Sequence, residues 1–354
     1  MPDFSEAIAH AQAHEVPWPR DPASAPERWG VHHVDPPPYN RLRGPVHPRG
    51  GVSGVIRIGG EEVASWGTPD RADLTYSVAK TYLALLAGIA QARGLLDPNE
   101  RIAQRLPGIG FDDAHNREIT WAHMLEQTSE WQGSCLGMPD QVEHHRRVSH
   151  DPKPPQGVKG EARVLQRPGT YWEYNDVRIN QLSLALLHLF RRPLPQVFLE
   201  AVLQPLGGGQ DFRWAGYDDA WVEIDGQRIQ SVPGGTHWGG GVSISARDQA
   251  RIAQLLLDGG VHAGKQLLPR EWVARMQQPC AIAPFYGWLT WLNAGGGMFR
   301  DASRESWFMV GAGGHYVWMD PAHDAVVVVR WLDSARADGF VRRMTQALEK
   351  DGRS

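Results

Sequence analysis

Leu74-Thr-Tyr-Ser77-Val-Ala-Lys80-Thr-Tyr-Leu-Ala-Leu-Leu-Ala-Gly-Ile-Ala90 is apolar on nearly every side. A surface helix keeps a polar stripe, so this run predicts a buried helix, and Gly94 marks its end. Just upstream, Gly54-Val-Ile-Arg-Ile58 and Glu62-Val-Ala-Ser-Trp66 flank Gly59-Gly60, which predicts a β-hairpin. Downstream, Asp97-Pro98 reads as a cap and first position of another helix, and residues 120–127 and 176–191 read as further helices. Between these two lies a long Gly/Pro/polar stretch, 130–170, of the kind that is usually functional or mobile. Asp248–Leu257 is predicted as a helix closed by Gly259-Gly260. Trp288–Asn293, Tyr316–Met319 and Ala325–Trp331 are strand-like, with Val326–Val329 suited to a central strand. Ala337–Lys350 is a closing amphipathic helix. Strands at both ends and helices between them predict an α+β protein whose antiparallel sheet is built from both chain ends, flanked by helices, with a mostly helical lobe inserted. The expected divisions are an extended lead-in over 1–50, a sheet lobe from 51–97 and 246–354, and a helical lobe over 98–245.

The chain has 354 residues, 42% apolar and 21% charged, which is ordinary for a globular protein and excludes disorder. Its net charge is −4 and no Lys/Arg cluster stands out, so no nucleic-acid partner is expected. The two cysteines, Cys135 and Cys280, are read as reduced thiols. No apolar run approaches a membrane span, and the N-terminus lacks the pattern of a secretory signal. The expectation is a cytoplasmic protein with no membrane partner.

Ser77-Val-Ala-Lys80 is the sole Ser-x-x-Lys in the chain. Residues three apart share a helix face, so hydroxyl and amine can meet. At a helix start, Ser77 lies near free backbone N–H groups and the positive end of the dipole. A lysine one turn into a buried helix is desolvated, which lowers its pKa toward that of a base. The bland alternative is a capping serine with a snorkelling lysine. About a hundred residues on, Arg167-Pro-Gly-Thr-Tyr-Trp-Glu-Tyr174-Asn-Asp176 brings Tyr174 to the head of a helix. A tyrosine beside a lysine ammonium has a lowered pKa and can relay protons, although Tyr174 alone reads as a packing aromatic. A third piece, Gly311-Ala312-Gly313-Gly314, lets a substrate approach the backbone. There the Ala312 N–H can face that of Ser77 as an oxyanion hole; a tight bend between strands explains the glycines equally well.

In this order the pieces resemble the serine beta-lactamase-like and penicillin-binding superfamily, especially class C beta-lactamases, related esterases and 6-aminohexanoate-dimer hydrolases. Ser77–Lys80 is similar to the first motif, and Pro168-Gly-Thr170 with Tyr174-Asn-Asp176 to the second. Gly234–Asp248 resembles the Gly-rich turn entering a Ser/Thr-x-x-Asp helix. Leu125–Ser129 resembles a helix ending in Thr-Ser-Gly, with Glu130 in place of the Gly. The resemblance spans about residues 50–345. It departs at Asp176, where Asn is usual, and at the third motif, where Met309-Val310-Gly311 carries no Lys or His. Arg300 and Arg304 are the candidates to replace that charge.

The resemblance implies a serine hydrolase that cleaves a small ester or amide through a Ser77 acyl-enzyme. Lys80 and Tyr174 move the proton, the N–H groups of Ser77 and Ala312 hold the oxyanion, and no cofactor is needed. Asp176 either orients Lys80, contacts substrate or caps a buried helix. Gly311, His237, Trp238 and Trp131 are the candidate pocket residues. The alternatives are a beta-lactamase or D-alanyl peptidase, and a non-catalytic relative that binds a ligand or partner in the same cleft. Three other patterns are set aside. Gly259–Lys265 fails as a phosphate loop at Gln266, and the 311–314 glycines lack a preceding dinucleotide-fold pattern. His144, His145 and His150, next to Arg146-Arg147, lack metal spacing and read as a solvated surface, so no metal is expected.

Overall fold

The computed structural model describes residues 2–148, 150–154 and 156–351. Its main sheet has six strands: β1 (Ser53–Ile58), β2 (Glu61–Trp66), β3 (Trp291–Leu292), β4 (Trp307–Gly311), β5 (His315–Asp320) and β6 (Ala325–Arg330), in the order β3-β4-β5-β6-β1-β2. Every pairing is antiparallel. The two chain ends meet where Val55 pairs with Val328, and Val328 faces Val317 on its other side. The four valines Val326–Val329 are buried, as β-branched residues in a doubly flanked strand should be.

Five longer helices cover this sheet and build the rest: α1 (Ser5–Ala13), α2 (Val78–Ala92), α3 (Asp176–Phe190), α4 (Ala246–Leu257) and α5 (Ala337–Asp351). Helix α4 packs on β1, β5 and β6. Helix α2 lies between α3 and strands β4 and β5, which is why Val78 through Ala90 are all buried. A small sheet of Asp73–Leu74, Gly241–Ile244 and Arg213–Ala215 ties the approach to α2 to the chain just before α4. Thus α2 has one end fixed by strands and both flanks packed, and a side chain at its start is held rigidly.

Four elements differ from expectation. The lead-in is not wholly extended: Ala7 and Ala11, one turn apart, are buried where α1 packs on α5. Asp97-Pro98 does not start a helix, because the Asp97 carboxylate accepts from the Asn99 N–H at 2.8 Å in a local turn. Helix then runs only over Ile102–Arg105. The strand expected over Trp288–Asn293 shrinks to β3, since Leu289 takes a left-handed φ of 53° and the Thr290 hydroxyl is drawn to the Met276 carbonyl. The 130–170 stretch contains a two-residue hairpin, Ser134–Cys135 with Met138–Pro139, and a helical turn over Asp140–Glu143. Cys135 and Cys280 are free.

Gly54 sits where β1 is pressed between the Trp66 ring and the Val328 carbonyl, and a Cβ there would overlap both. Gly54→Ala is therefore expected to destabilise the fold by about 1–3 kcal/mol through overpacking. Urea denaturation monitored by tryptophan fluorescence checks it, and an unchanged midpoint would contradict the packing described.

Candidate active site

The turn into α2 is shaped by Tyr76, which adopts a left-handed φ of 52° that a bulky residue rarely takes. Its ring is caged by Trp18, Trp29, His315 and Trp331 at centroid distances of 5.4–6.3 Å. The cage over-determines the backbone and aims Ser77 at the first turn of α2. There the Lys80 ammonium lies 2.8 Å from the Ser77 hydroxyl oxygen. The Tyr174 ring centroid is 4.7 Å from Lys80 Nζ. Ser77, Lys80 and Tyr174 are thus brought together.

Asp176 lies directly behind them. Asn175, not Asp176, caps α3 by accepting from the Arg178 N–H at 3.1 Å. This frees the Asp176 carboxylate to pair with Lys80 through one oxygen and with Arg146, at 2.6 Å, through the other. Arg146 also pairs with Glu143, and Glu143 with Lys159 at 2.9 Å. Lys159 pairs with Asp35. His237 closes the ring, its Nε2 2.8 Å from Asp35 and its Nδ1 3.1 Å from Asp176. Asp35, Glu143 and His237 bring ligand atoms within 4.8 Å of one another, a spacing that could hold a cation. The Lys159 ammonium already bridges the two carboxylates.

This ring sets the electrostatics. Burial lowers the Lys80 pKa from the ordinary lysine value. Asp176 opposes that shift and Arg146 adds to it. Burial works against the Asp176 carboxylate too, but Arg146, Lys80 and His237 hold it well below the usual range. Tyr174 reverses expectation. Burial raises its pKa, reinforced by Asp176 and opposed by Arg146. The phenol is therefore a proton donor at rest, not a preformed phenolate.

Above the dyad is a cavity of about 320 Å³ whose floor includes Ser77, Tyr174 and His237. The β4–β5 turn, Gly311–Gly314, forms one side. Gly311 sits hard against the Thr75 carbonyl, two residues before Ser77, so this turn and the start of α2 are in direct contact. Among the described residues, neither the Ser77 nor the Ala312 N–H has an intramolecular acceptor. Gly235, from the Gly-rich turn before α4, comes so close that a Cβ would be 3.4 Å from Lys80 Nζ. Ser245 caps α4 by accepting from the Asp248 N–H at 3.0 Å.

Asp176, also expected to contact substrate, does not line the cavity, and neither do two expected pocket residues. Trp131 is buried with its indole N–H on the Gly110 carbonyl at 2.8 Å, and Trp238 is buried with its N–H on Asp35 at 2.8 Å. Both are packing and anchoring residues, since their polar edges are spent inside the protein. Arg300 and Arg304 do not line it either; the charged residues that do are Arg146, Arg147 and Lys159. Within the 144–147 run, Arg147 is exposed as expected of a solvated surface, but His144 and the Arg146 side chain are not. His144 is buried against Asp140 at 2.7 Å, and the Arg146 side chain is about 10% exposed because two carboxylates neutralise it. Asp35, Glu143, Arg146 and Lys159 escaped the sequence reading, as did the cavity residues Trp18, Val31, Val34, Trp291 and Tyr316. No local spacing unites them, since the fold gathers them from distant segments.

The 130–170 stretch is pinned by a second cluster. Glu130, at a φ of 50° where glycine is more at ease, binds Arg163 at 2.6 Å and Arg178 at 3.1 Å. Arg178 reaches Asp140 at 2.7 Å, and Arg163 reaches Glu173 at 2.6 Å.

Motif order, fold and site converge on one class. The sequence model of the family described as Beta-lactamase matches residues 41–348, and the chain belongs to that family. It is similar to a 6-aminohexanoate-dimer hydrolase of Paenarthrobacter ureafaciens, 23% identical over 278 residues, which are 73% of this chain and 66% of that protein. The match thus spans slightly less than two thirds of that relative. Among solved structures it resembles a beta-lactamase from Mycobacterium bovis, with TM-score 0.57, 18% identity, and 85% of this chain and 94% of that one covered. It also resembles a family VIII carboxylesterase, with TM-score 0.59, 16% identity, and 85% and 93% covered. At these identities the structural likeness speaks for the fold. No helix among the described residues is long and apolar enough to cross a membrane.

Glu130→Gln leaves two buried guanidinium groups short of one negative charge. An expected loss of about 3–5 kcal/mol follows from breaking a buried pair on one side. Burial disfavours the Glu130 carboxylate, but Arg163 and Arg178 hold its pKa below the ordinary 4.5. Its stabilisation is therefore complete above about pH 4.5 and is lost as pH falls through the lower folded value. Thermal unfolding from pH 6 down to pH 3 checks both statements. The Tm difference between wild type and Glu130→Gln should shrink toward acid, and a difference that grows would refute the account.

Proposed function

We propose that the protein is a serine hydrolase that cleaves a small ester or amide through an acyl-enzyme on Ser77. The single observation that carries this reading is the Lys80 ammonium 2.8 Å from the Ser77 hydroxyl on the floor of a cavity. In this reading Ser77 Oγ attacks the carbonyl carbon and its proton passes to the neutral Lys80 amine. The negative charge that develops on the carbonyl oxygen meets the N–H groups of Ser77 and Ala312. Collapse of the tetrahedral intermediate breaks the bond to the leaving group, which takes a proton through Tyr174. Tyr174 recovers one from Lys80. A water molecule then attacks the ester on Ser77 along the reverse proton route and releases the acid. The resemblance to a 6-aminohexanoate-dimer hydrolase and to a carboxylesterase supports an ester or amide substrate. The absence of Lys or His at the third motif weighs against beta-lactams.

A fluorophosphonate probe should label wild type and leave Ser77→Ala unlabelled. Lys80→Ala and Tyr174→Phe should fold normally and lose on the order of 10²–10⁴ in acylation rate. Wild-type turnover of short p-nitrophenyl esters should far exceed that of nitrocefin. A folded wild type that takes no label would favour a binding protein, and rapid nitrocefin hydrolysis would favour the beta-lactamase alternative.

Asp176 is a positioning residue whose charge raises the Lys80 pKa. In wild type, acylation should rise with pH around a midpoint below the ordinary lysine value of 10.5. In Asp176→Asn that midpoint should move to lower pH, because the neutral amine no longer competes with an ion pair. A purely structural role for Asp176 would lower the plateau and leave the midpoint in place.

A further inference from the structure

We infer that the N-terminal segment before residue 41 supplies the specificity wall of the cavity and that this wall takes an apolar arm of the substrate. The inference rests on reading the cavity as the seat of ester or amide hydrolysis. Trp18, Val31 and Val34 line the cavity together with Ser77, yet all three precede the stretch matched by the family. The family core therefore provides the reacting groups, and a segment outside it faces them.

The segment is held as firmly as the core. The Val16 N–H donates to the Trp331 carbonyl at 2.8 Å, and Arg49 donates to the Trp18 carbonyl at 2.6 Å. The Trp18 ring packs edge-on to Tyr76 at 5.4 Å, next in sequence to Ser77, and lies against Gly313 in the turn that carries Ala312. Asp35, fully buried, locks the far end through Lys159, His237 and the Trp238 N–H. Between these anchors, Val34 is 62% exposed beside the cavity. A large apolar side chain left in water beside a preformed cavity gains burial only when an apolar group covers it. The same lining carries the charged groups Arg146, Arg147 and Lys159. The lining is thus mixed, and an alkyl portion of the substrate has the Trp18, Val31 and Val34 side chains on which to lie.

Two substrate series test this: p-nitrophenyl esters from acetate to octanoate, and acetate esters of alcohols of increasing length, followed by acid release. Val34→Gln, at an exposed position, does not threaten the fold; Trp18→Ala is the stronger variant. In at least one series wild-type kcat/KM should rise with chain length. The ratio of the longer substrate to the shortest should fall about tenfold in Val34→Gln, in line with the worth of a methylene or two in an apolar pocket. It should fall further in Trp18→Ala. If neither series responds to chain length in wild type, or the ratios are the same in the variants, the wall is not a specificity element. Wild type that hydrolyses none of these esters and takes no label on Ser77 would instead remove the hydrolase reading itself.

Discussion

The site depends on one buried ion pair, Lys80 with Asp176. A lysine cannot be carried into the middle of the molecule as an isolated charge, so it either neutralises or finds a partner. Asp176 supplies the partner, but that ion pair alone would hold the amine in its charged form, unable to accept a proton. Arg146 relieves this by sharing the carboxylate, and Glu143, Lys159, Asp35 and His237 extend the sharing into a ring of three carboxylates, three cations and an imidazole. The net effect on Lys80 is a lowered pKa despite the pair. The ring serves both to make burial of the amine tolerable and to keep its proton removable.

That ring is assembled from five separate parts of the chain, so it also fixes architecture. Asp35 comes from the N-terminal segment, Lys80 from α2, Glu143, Arg146 and Lys159 from the 130–170 stretch, Asp176 from the head of α3, and His237 from the Gly-rich turn. The 130–170 stretch has little regular structure of its own and a composition poor in core residues. It holds its place because Glu130, Asp140 and Glu173 are tied to Arg163 and Arg178. Glu130 accepts a left-handed backbone there. That backbone suits glycine, and here the pairing with two arginines holds a glutamate in it.

The fold was legible because its signals are local. The Gly59-Gly60 hairpin, the valine run 326–329 and the all-apolar face of α2 each announce their place within a dozen residues. The dyad was legible for the same reason, since i and i+3 on one helix must be neighbours. What escaped depends on contacts between segments a hundred or more residues apart. Asp35 carries no mark in sequence that it meets His237, which the adjoining glycines did make a pocket candidate, and Arg146 beside His144 and His145 looks like any charged surface turn. The tryptophans show the converse error. Trp131 and Trp238 flank glycines as pocket residues often do, but their indole N–H groups are satisfied inside the protein, which only coordinates reveal.

The raised pKa of Tyr174 orders the work between the two proton carriers in the proposed chemistry. A base must give up its proton at working pH and an acid must keep it. Lys80 is shifted toward the first condition and Tyr174 toward the second, by the same burial acting on groups of opposite charge type. Burial penalises whichever form is charged: ammonium for lysine, phenolate for tyrosine. Two buried neighbours are thereby pushed toward neutrality together, an amine to accept from Ser77 and a phenol to donate to the leaving group in the proposed chemistry. Asp176 reinforces the second shift and opposes the first, so its shared bonding to Arg146 decides how far the amine remains a base.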